Sequence, residues 1–444
     1  MITTIVLMFV LGYVCIALEH KIKIDKAAFA LLMCGAIWTV LSVFSGKPDI
    51  EGELVSYLGD TCETLIFLIG AMTIVDLIDT HGGFSIITEH ITTRDKRRLL
   101  WLLAFITFFM SAVLDNMTTT IIMVMMLRRL ISDQRERWIF TGVIVIAANS
   151  GGAWSPIGDV TTIMLWMRGN VTAGALSAYL LLPCLVSMII PAALASRLVH
   201  GTVGHVEAVA ADTLPEGVGP RFSRGVLIGG IVGLLFVPVF KSLTGLPPYM
   251  GMLISLGALW VGTEIVYDRK RGIEESIKNR VAKVVKHIDM PTILFFLGIL
   301  MAVSGLQCAG VLSDAAHFLD TNVHEVFSIA SAVGILSSVV DNVPLVAACM
   351  GMYPVADAAT IAAAVDPAYI AAFAADGTFW LLLAFCAGVG GSLLIIGSAA
   401  GVVAMGLERI DFGWYFRHVS LLALLGYVAG IVLILLEHLL MGLA

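Results

Sequence analysis

Charge is scarce in this sequence. Asp, Glu, Lys and Arg make up 13% of its 444 residues, whereas hydrophobic residues make up 59%, and the mean hydropathy is +0.96. A soluble domain of this size cannot bury so much apolar surface. No nucleic-acid-binding motif is present. The composition therefore excludes a soluble enzyme and predicts an all-α polytopic membrane protein whose partner is the lipid bilayer.

Paired cysteines are also lacking. The seven cysteines are scattered in or beside apolar segments without a CxxC pair, so neither a structural metal site nor a disulfide framework is indicated. Residues 2–18 have no basic region before them and no small-residue cleavage site, and we expect a retained first helix. We expect no enzymatic activity and no cofactor.

Twelve apolar segments are present, and most have the length of about 20 residues that one crossing needs. They lie near 2–18, 27–45, 61–80, 99–127, 138–168, 175–197, 225–242, 249–267, 290–310, 324–352, 378–406 and 418–440. Two of them, 99–127 and 324–352, carry Asp115-Asn116 and Asp341-Asn342 at their middles. An Asp at bilayer depth costs about 2.5–3.5 kcal/mol, and Asn is a poor interior helix residue. Each dipeptide therefore marks a break.

Basic residues indicate how these two segments run. Arg and Lys cluster on both sides of 99–127, at residues 94–98 and 128–137. Since basic loops stay cytoplasmic, both ends lie on one side and the segment is a re-entrant hairpin. With 324–352 treated likewise, 23 of the 26 Lys and Arg fall in cytoplasmic loops, Lys26 among them. The count predicts ten spanning helices, two hairpins and both termini outside.

The chain reads as two inverted repeats. Residues 1–197 form the first unit, with hairpin 99–127 and broken helix 138–168. Residues 198–224 form a cytoplasmic linker, and 225–444 form the second unit, with hairpin 324–352 and broken helix 378–406. Residues 148–162 align with 387–401, and Gly70 and Gly82 match Gly298 and Gly310. Inverted repeats with broken helices are typical of secondary transporters.

The interrupted helices carry polar groups that suit a cation. Segment 138–168 is expected to break at Asn149-Ser150-Gly151-Gly152 and again at Ser155–Asp159, because Gly and Pro release backbone groups from the helix. Such backbone is tolerated at membrane depth where it lines a cavity, and oxygen ligands suit small hard cations. The repeats are unequal: the first break carries Asn149, Asp159, Thr161 and Thr162, and the matching positions of the second carry Gly388, Ser398, Ala400 and Gly401.

Three aspartates, Asp115, Asp159 and Asp341, are expected at the centre, without a Lys or Arg. Carboxylates that share a low-dielectric pocket cannot all stay ionised, and either a proton or a metal cation relieves the cost. Our hypothesis is that the three form a shared Na⁺/H⁺ centre, in which competition produces exchange. Helix capping by the same side chains is the alternative, and it is compatible with ion binding.

The motifs NSGGAWSPIGDVTTIMLW and GGSLLIIGSAAGVVAMG, with the paired Asp-Asn hairpins, resemble the NhaD family of sodium/proton antiporters in the ion transporter superfamily. The resemblance spans nearly the whole chain. It implies extrusion of Na⁺ and Li⁺ in exchange for protons, favoured at alkaline pH, in a bacterial inner (cytoplasmic) membrane. The superfamily fold implies a homodimer with an elevator-like moving domain.

Carried over by motif, the family's important polar positions are Asp115, Asn116, Asn149, Asp159, Thr161, Thr162, Ser337, Asp341, Asn342 and Ser392. Na⁺ itself is expected at the Asp and Asn members of this set: Asp115, Asn116, Asn149, Asp159, Asp341 and Asn342.

Three other functions share some of these sequence features. A dicarboxylate transporter of the same superfamily would bring an anion to Asp at both hairpin tips, an electrostatically poor match. An arsenite exporter is harder to exclude from architecture, although the NSGGAWSPIGDVTT motif favours NhaD. An intramembrane aspartyl protease, a different class, usually resembles a Gly-x-Gly-Asp arrangement; here Pro156 occupies the first Gly position. Proteolysis also leaves the duplication unexplained.

Overall fold

The computed structural model describes residues 1–84, 93–203, 219–269 and 280–441. Within these ranges the regular secondary structure is helical, without a β-strand. Seven of the described helices are long and apolar enough to cross a membrane, judged by length and composition, and shorter apolar helices accompany them. The prediction of an all-α polytopic membrane protein is confirmed. The division at 198–224 stays a prediction, and residues 204–218 of that linker lie outside the described residues.

Eight longer helices lie in the first half of the described chain. They are α1 Ile2–Ala17, α2 Lys26–Phe44, α3 Ile50–Thr80, α4 Lys96–Ser111, α5 Asn116–Leu130, α6 Gln134–Ala153, α7 Val160–Met167 and α8 Ala173–Ser196. The short helix Glu19–Ile22 precedes α2.

The second half continues with α9 Pro220–Thr244, α10 Pro248–Arg269, α11 Met290–Cys308, α12 Val311–Asn322, α13 Val326–Leu336, α14 Asn342–Met352, α15 Thr378–Gly390, α16 Ala399–Glu408, α17 Phe412–His418 and α18 Ser420–Met441. Short helices lie between them at Val281–Val284, Val285–His287, Ala358–Ala363 and Pro367–Ala371.

The break in the first interrupted helix is shorter than expected. Asn149-Ser150-Gly151-Gly152 is not a break but the end of α6, which remains helical through Ala153; the interruption covers Trp154 to Asp159. The glycines serve packing instead of unwinding. A Cβ on Gly151 would lie 2.2 Å from the carbonyl oxygen of Phe108 on α4, so this position needs glycine for helix contact.

Contacts at the helix ends show that α4 and α5 form a hairpin. The ammonium of Lys96, at the start of α4, lies 2.7 Å from Glu136 at the start of α6. At the end of α5, Arg128 contacts Glu408, which also contacts Arg137 at the start of α6. Both hairpin ends therefore lie together, at what we call the basic end of the molecule.

The second hairpin, α13 and α14, enters from the opposite end. Phe327 at its start contacts the ring of His438 at the end of α18, and His438 bonds Thr378 at the start of α15. Tyr353, just after α14, stacks on Phe373 and contacts Phe379 in α15. Two helical hairpins thus enter the fold from opposite ends, and their re-entrance into the membrane stays a prediction.

The packing repeats with inverted symmetry. Helix α2 packs on α11 and α10 packs on α3, while α4 packs on α6 and α13 packs on α15. A Cβ on Gly70 of α3 would lie 2.5 Å from Met252, and one on Gly298 of α11 would lie 2.6 Å from the backbone of Ala30. The glycines matched in sequence therefore perform the same packing role in the two repeats.

Candidate cation site between the hairpin tips

Four helices begin at the centre of the fold, and each is capped by its own side chain. Asp115 caps α5, Asp159 caps α7, Asp341 caps α14 and Ser398 caps α16. The free N–H groups and positive dipole end of each helix favour negative charge there. The capping role expected for the three aspartates is therefore present, and it coexists with the contacts described below.

Asp159 lies at the meeting point of the two hairpin tips. Its side chain is only 2% exposed. The Asn116 amide of the first tip donates to one carboxylate oxygen at 2.7 Å, and the Asn342 amide of the second tip lies 3.4 and 3.5 Å from the two oxygens. The Thr161 amide and hydroxyl both donate to Asp159 at 2.9 Å. The two tips thus converge on one buried carboxylate.

Asn149 connects this carboxylate to the second interrupted helix. Its side chain is fully buried. The carbonyl oxygen accepts from the Asn116 amide at 3.1 Å, and the amide donates to the hydroxyls of Ser392 and Ser398, each at 2.9 Å. A continuous network of amides, hydroxyls and one carboxylate therefore joins the hairpins and both broken helices.

Two other predicted positions have mainly structural contacts. The Thr162 hydroxyl donates to the backbone carbonyl of Asp159 at 2.9 Å, the back-bonding expected for threonine in a helix. The Ser337 hydroxyl donates to the Ala387 carbonyl at 2.8 Å. In the first repeat, Ser111 donates to the Ala148 carbonyl at 2.6 Å. Ser111 and Ser337 both stand four residues before the tip aspartate, so matching the two hairpins would have found Ser111.

The glycines of the two broken helices form matching close contacts. Cβ atoms on Gly151 and Gly390 would each lie 2.2 Å from a carbonyl oxygen of the neighbouring hairpin arm, and Cβ atoms on Gly158 and Gly397 would lie 2.6 and 2.5 Å from carbonyl oxygens of the tips. Real Cβ atoms do not approach backbone so closely. These four glycines let each hairpin tip lie directly against its interrupted helix.

The structure does not bring the three aspartates into one ligand shell. Asp115 accepts from the Thr118 amide and hydroxyl at 2.7 and 2.6 Å, and Asp341 accepts from the Val343 amide at 3.4 Å and lies 3.8 Å from the Lys26 ammonium. Among the described residues, no three His, Cys, Asp or Glu side chains are placed to share one metal ion. Asp115 and Asp341 therefore flank Asp159, and the centre itself is built from Asp159 with amides and hydroxyls.

The expectation that no lysine lies beside the three aspartates is wrong. The Lys26 ammonium lies 3.8 Å from a carboxylate oxygen of Asp341 and 4.3 Å from the centre of the Phe295 ring. Lys26 was expected in a loop, but it is the first residue of α2, and its long apolar stem can carry the charge away from its backbone position. Only tertiary packing places it at the hairpin tip.

A largely apolar cavity reaches the first tip. Asp115 and Asn116 line it together with Phe67, Met252 and Phe296 from α3, α10 and α11. Its wall thus joins the hairpin tip to helices that carry none of the polar network. The cavity therefore borders the first hairpin tip, and Asp341 of the second tip is not among its lining residues.

Inverted repeats, opposed hairpins and a buried polar centre define a polytopic membrane transporter. A family model described as the citrate transporter family (CitMHS) matches residues 13–375. The chain is 45% identical to sodium/proton antiporter 1 of Arabidopsis thaliana over 97% of its own length and 72% of the relative's. It is 42% identical to sodium/proton antiporter 2 of the same plant, over 97% and 99%.

The similarity to a bacterial relative also covers nearly the whole chain. The chain is 30% identical to the Na⁺/H⁺ antiporter NhaD of Vibrio cholerae, over 97% of its own length and 91% of the relative's. The chain therefore belongs to the citrate transporter family and, within it, to the NhaD-type antiporters. The resemblance seen in the sequence motifs is confirmed.

Proposed function

We propose that this protein exchanges Na⁺, and also Li⁺, for H⁺ across a membrane. The observation that carries the proposal is the convergence of both hairpin tips, through Asn116 and Asn342, on the buried carboxylate of Asp159. The names of the plant and bacterial relatives support Na⁺ and H⁺. The chain is accordingly a transporter and not an enzyme.

Exchange follows from competition for Asp159. A buried carboxylate is costly when it is ionised without a partner. Protonation removes the charge, and a bound Na⁺ compensates for it, so the two ligands exclude each other. Alternating exposure of this one group to the two sides then couples their movements. Asp115 and Asp341 add negative charge beside the site, which favours cations over anions.

The asparagines supply the means to accept either ligand. In the structure, Asn116 and Asn342 direct N–H groups toward Asp159. Turning an amide over replaces its N–H donors with a carbonyl oxygen, which is a suitable ligand for a hard cation. We propose that these two amides turn when Na⁺ enters, with Asn149 held in place by Ser392 and Ser398.

The transport motion, the oligomeric state and the membrane location are also proposals. We propose an elevator-like motion of the hairpins and broken helices relative to α2, α3, α10 and α11, which pack on one another in crossed pairs. The superfamily resemblance supports a homodimer. For the setting, we propose a bacterial inner membrane with both termini outside. A C-terminal tag probed in right-side-out and everted vesicles tests this orientation, because only the right-side-out vesicles should expose the tag.

The direct test uses purified protein in proteoliposomes that contain a pH-sensitive dye and hold an imposed pH gradient. Adding Na⁺ or Li⁺ should dissipate the gradient, whereas K⁺ should not. Citrate and a dicarboxylate form the second arm, because the family description names citrate. A gradient that responds to the carboxylates and not to Na⁺ or Li⁺ would overturn the proposal. So would a complete absence of Na⁺- and Li⁺-driven proton movement.

A further inference from the structure

The two tip aspartates are stabilised in different ways. Thr118 donates two hydrogen bonds to Asp115, one from its amide and one from its hydroxyl. The corresponding third position after Asp341 is Pro344, which has neither an N–H nor a hydroxyl. Among the described residues, the hydrogen bond that the Asp341 carboxylate accepts is a long one, 3.4 Å from the Val343 amide. It therefore needs a partner from outside its own hairpin.

Lys26 is that partner, and it comes from the packing of α2. Its ammonium is 3.8 Å from Asp341, with side chains 26% and 19% exposed. The Lys26 amide also donates to the Glu19 carboxylate at 3.2 Å, which ties the start of α2 to the preceding turn. The ring of Phe295 lies under the ammonium and stabilises it by a cation–π contact.

The residues around the two tip aspartates differ in a reciprocal way between the repeats. Because Gly298 packs on Ala30 and Gly70 packs on Met252, Ala30 and Met252 are equivalent, and the position equivalent to Lys26 is Pro248. At the first tip the third position after the aspartate is a threonine, and the equivalent position at the start of α10 is a proline. The second tip has a proline in place of the cap and a lysine on the facing helix.

From this juxtaposition we propose that Lys26 is the resident counter-cation of Asp341 and competes with the transported cation for the negative charge of the second tip. The inference rests on the proposed exchange of Na⁺ for H⁺. A Na⁺ bound at Asp159 and the fixed ammonium of Lys26 are both attracted by the negative charge of Asp341, so the lysine weakens cation binding in the loaded state and stabilises the empty one. It also joins the hairpin tip to α2, outside the amide network.

The test compares Lys26→Gln, Lys26→Arg and wild type in the same proteoliposomes, at a fixed alkaline pH. Removing the competing charge should lower the Na⁺ concentration for half-maximal proton movement by about two- to fivefold, the range set by a partly exposed ion pair. Lys26→Arg should restore the wild-type value. If Lys26 only supports the fold, its removal should raise the Na⁺ concentration for half-maximal proton movement instead of lowering it.

Two further variants separate the ion pair from general charge effects. Lys23→Gln removes an exposed lysine three residues away and should leave the Na⁺ dependence unchanged. Pro344→Thr restores the cap to Asp341 and should reduce the effect of Lys26→Gln in the double variant. An unchanged or increased half-maximal Na⁺ concentration in Lys26→Gln would overturn the proposal, and so would an equal effect in both backgrounds.

Failure of the proposed function is recognised separately, because wild type would then show no Na⁺-driven proton movement. In that case the same variants are compared by the Na⁺ dependence of the unfolding temperature of purified protein. A lower half-maximal Na⁺ concentration for Lys26→Gln supports the counter-cation role even without exchange. An equal concentration, or no response of either protein to Na⁺, overturns it.

Discussion

The two broken helices share a backbone design but differ in chemistry. In both, a Cβ added to a glycine, Gly151 or Gly390, would lie 2.2 Å from a carbonyl oxygen of the hairpin. In both, a serine four residues before the tip aspartate donates a hydrogen bond to a carbonyl near the helix end. Only the first broken helix carries a carboxylate and an amide, Asp159 at its interruption and Asn149 near the end of α6. In the proposed mechanism, the matched glycines and serines hold the hairpin tips in place, whereas the unmatched Asp159 and Asn149 serve cation binding.

The largest effect is expected from removing the unmatched carboxylate. Asp159→Asn keeps the shape of the side chain but removes the charge that Asn116 and Asn342 approach, so Na⁺-driven proton movement should fall about 100-fold or more. The mirror variant Ser398→Ala removes a hydroxyl and should cost much less. Proteoliposome exchange rates measure both. Equal losses would mean that the two breaks are functionally equivalent.

Alanine at the matched glycines should instead affect both repeats alike. Gly151→Ala and Gly390→Ala each place a Cβ 2.2 Å from a backbone oxygen, and relieving such overpacking typically costs about 1–3 kcal/mol. Unfolding of the purified protein in detergent measures the loss. Gly174→Ala on α8, where no atom lies within 4 Å, is the control and should not destabilise. A loss confined to one repeat would break the symmetry of the scaffold.

Making the first broken helix resemble the second at position 149 should weaken cation binding without abolishing it. Asn149→Gly introduces the residue found at the matching position 388 and removes the bridge from Asn116 to Ser392 and Ser398. The half-maximal Na⁺ concentration should rise about 10- to 100-fold, as for other groups that orient a ligand. Ser392→Ala removes one end of this bridge and should have a smaller effect. A normal Na⁺ dependence in Asn149→Gly would show that the bridge does not serve cation binding.

The smallest effect is a shift in pH dependence with Na⁺ concentration. Because proton and cation exclude each other at Asp159, raising Na⁺ should move the pH of half-maximal activity downward. For one-to-one competition the shift approaches about one pH unit for each tenfold increase in Na⁺. Activity measured at several Na⁺ concentrations and pH values tests it. A pH midpoint that does not depend on Na⁺ would indicate separate sites.

Much of this comparison could be predicted from the sequence. The positions of Lys and Arg predicted both hairpins. The alignment of 148–162 with 387–401 predicted that Asp159 and Asn149 belong to the first broken helix and have no acidic or amide counterpart in the second. These inferences succeed because membrane insertion and helix breaks depend on local composition. Ser111 was missed although its match to Ser337 was available.

Other features depend on contacts distant in sequence. The helical state of Asn149 to Gly152 could not be read from two glycines, because glycine marks close packing as well as unwinding. The place of Lys26 beside Asp341 required the packing of α2 on α11, which in turn packs on α14 of the second hairpin. The contacts of Asp115 with Thr118 and of Asp341 with Lys26 likewise follow from the folded structure, which composition does not indicate.

The central claim is that Asp159 is the group for which Na⁺ and H⁺ compete. The most direct measurement is proton release when Na⁺ is added to purified protein in weakly buffered detergent solution near the pH of half-maximal activity. Wild type and Ser398→Ala should release protons as Na⁺ binds, whereas Asp159→Asn should release none. Undiminished proton release from Asp159→Asn would contradict the account.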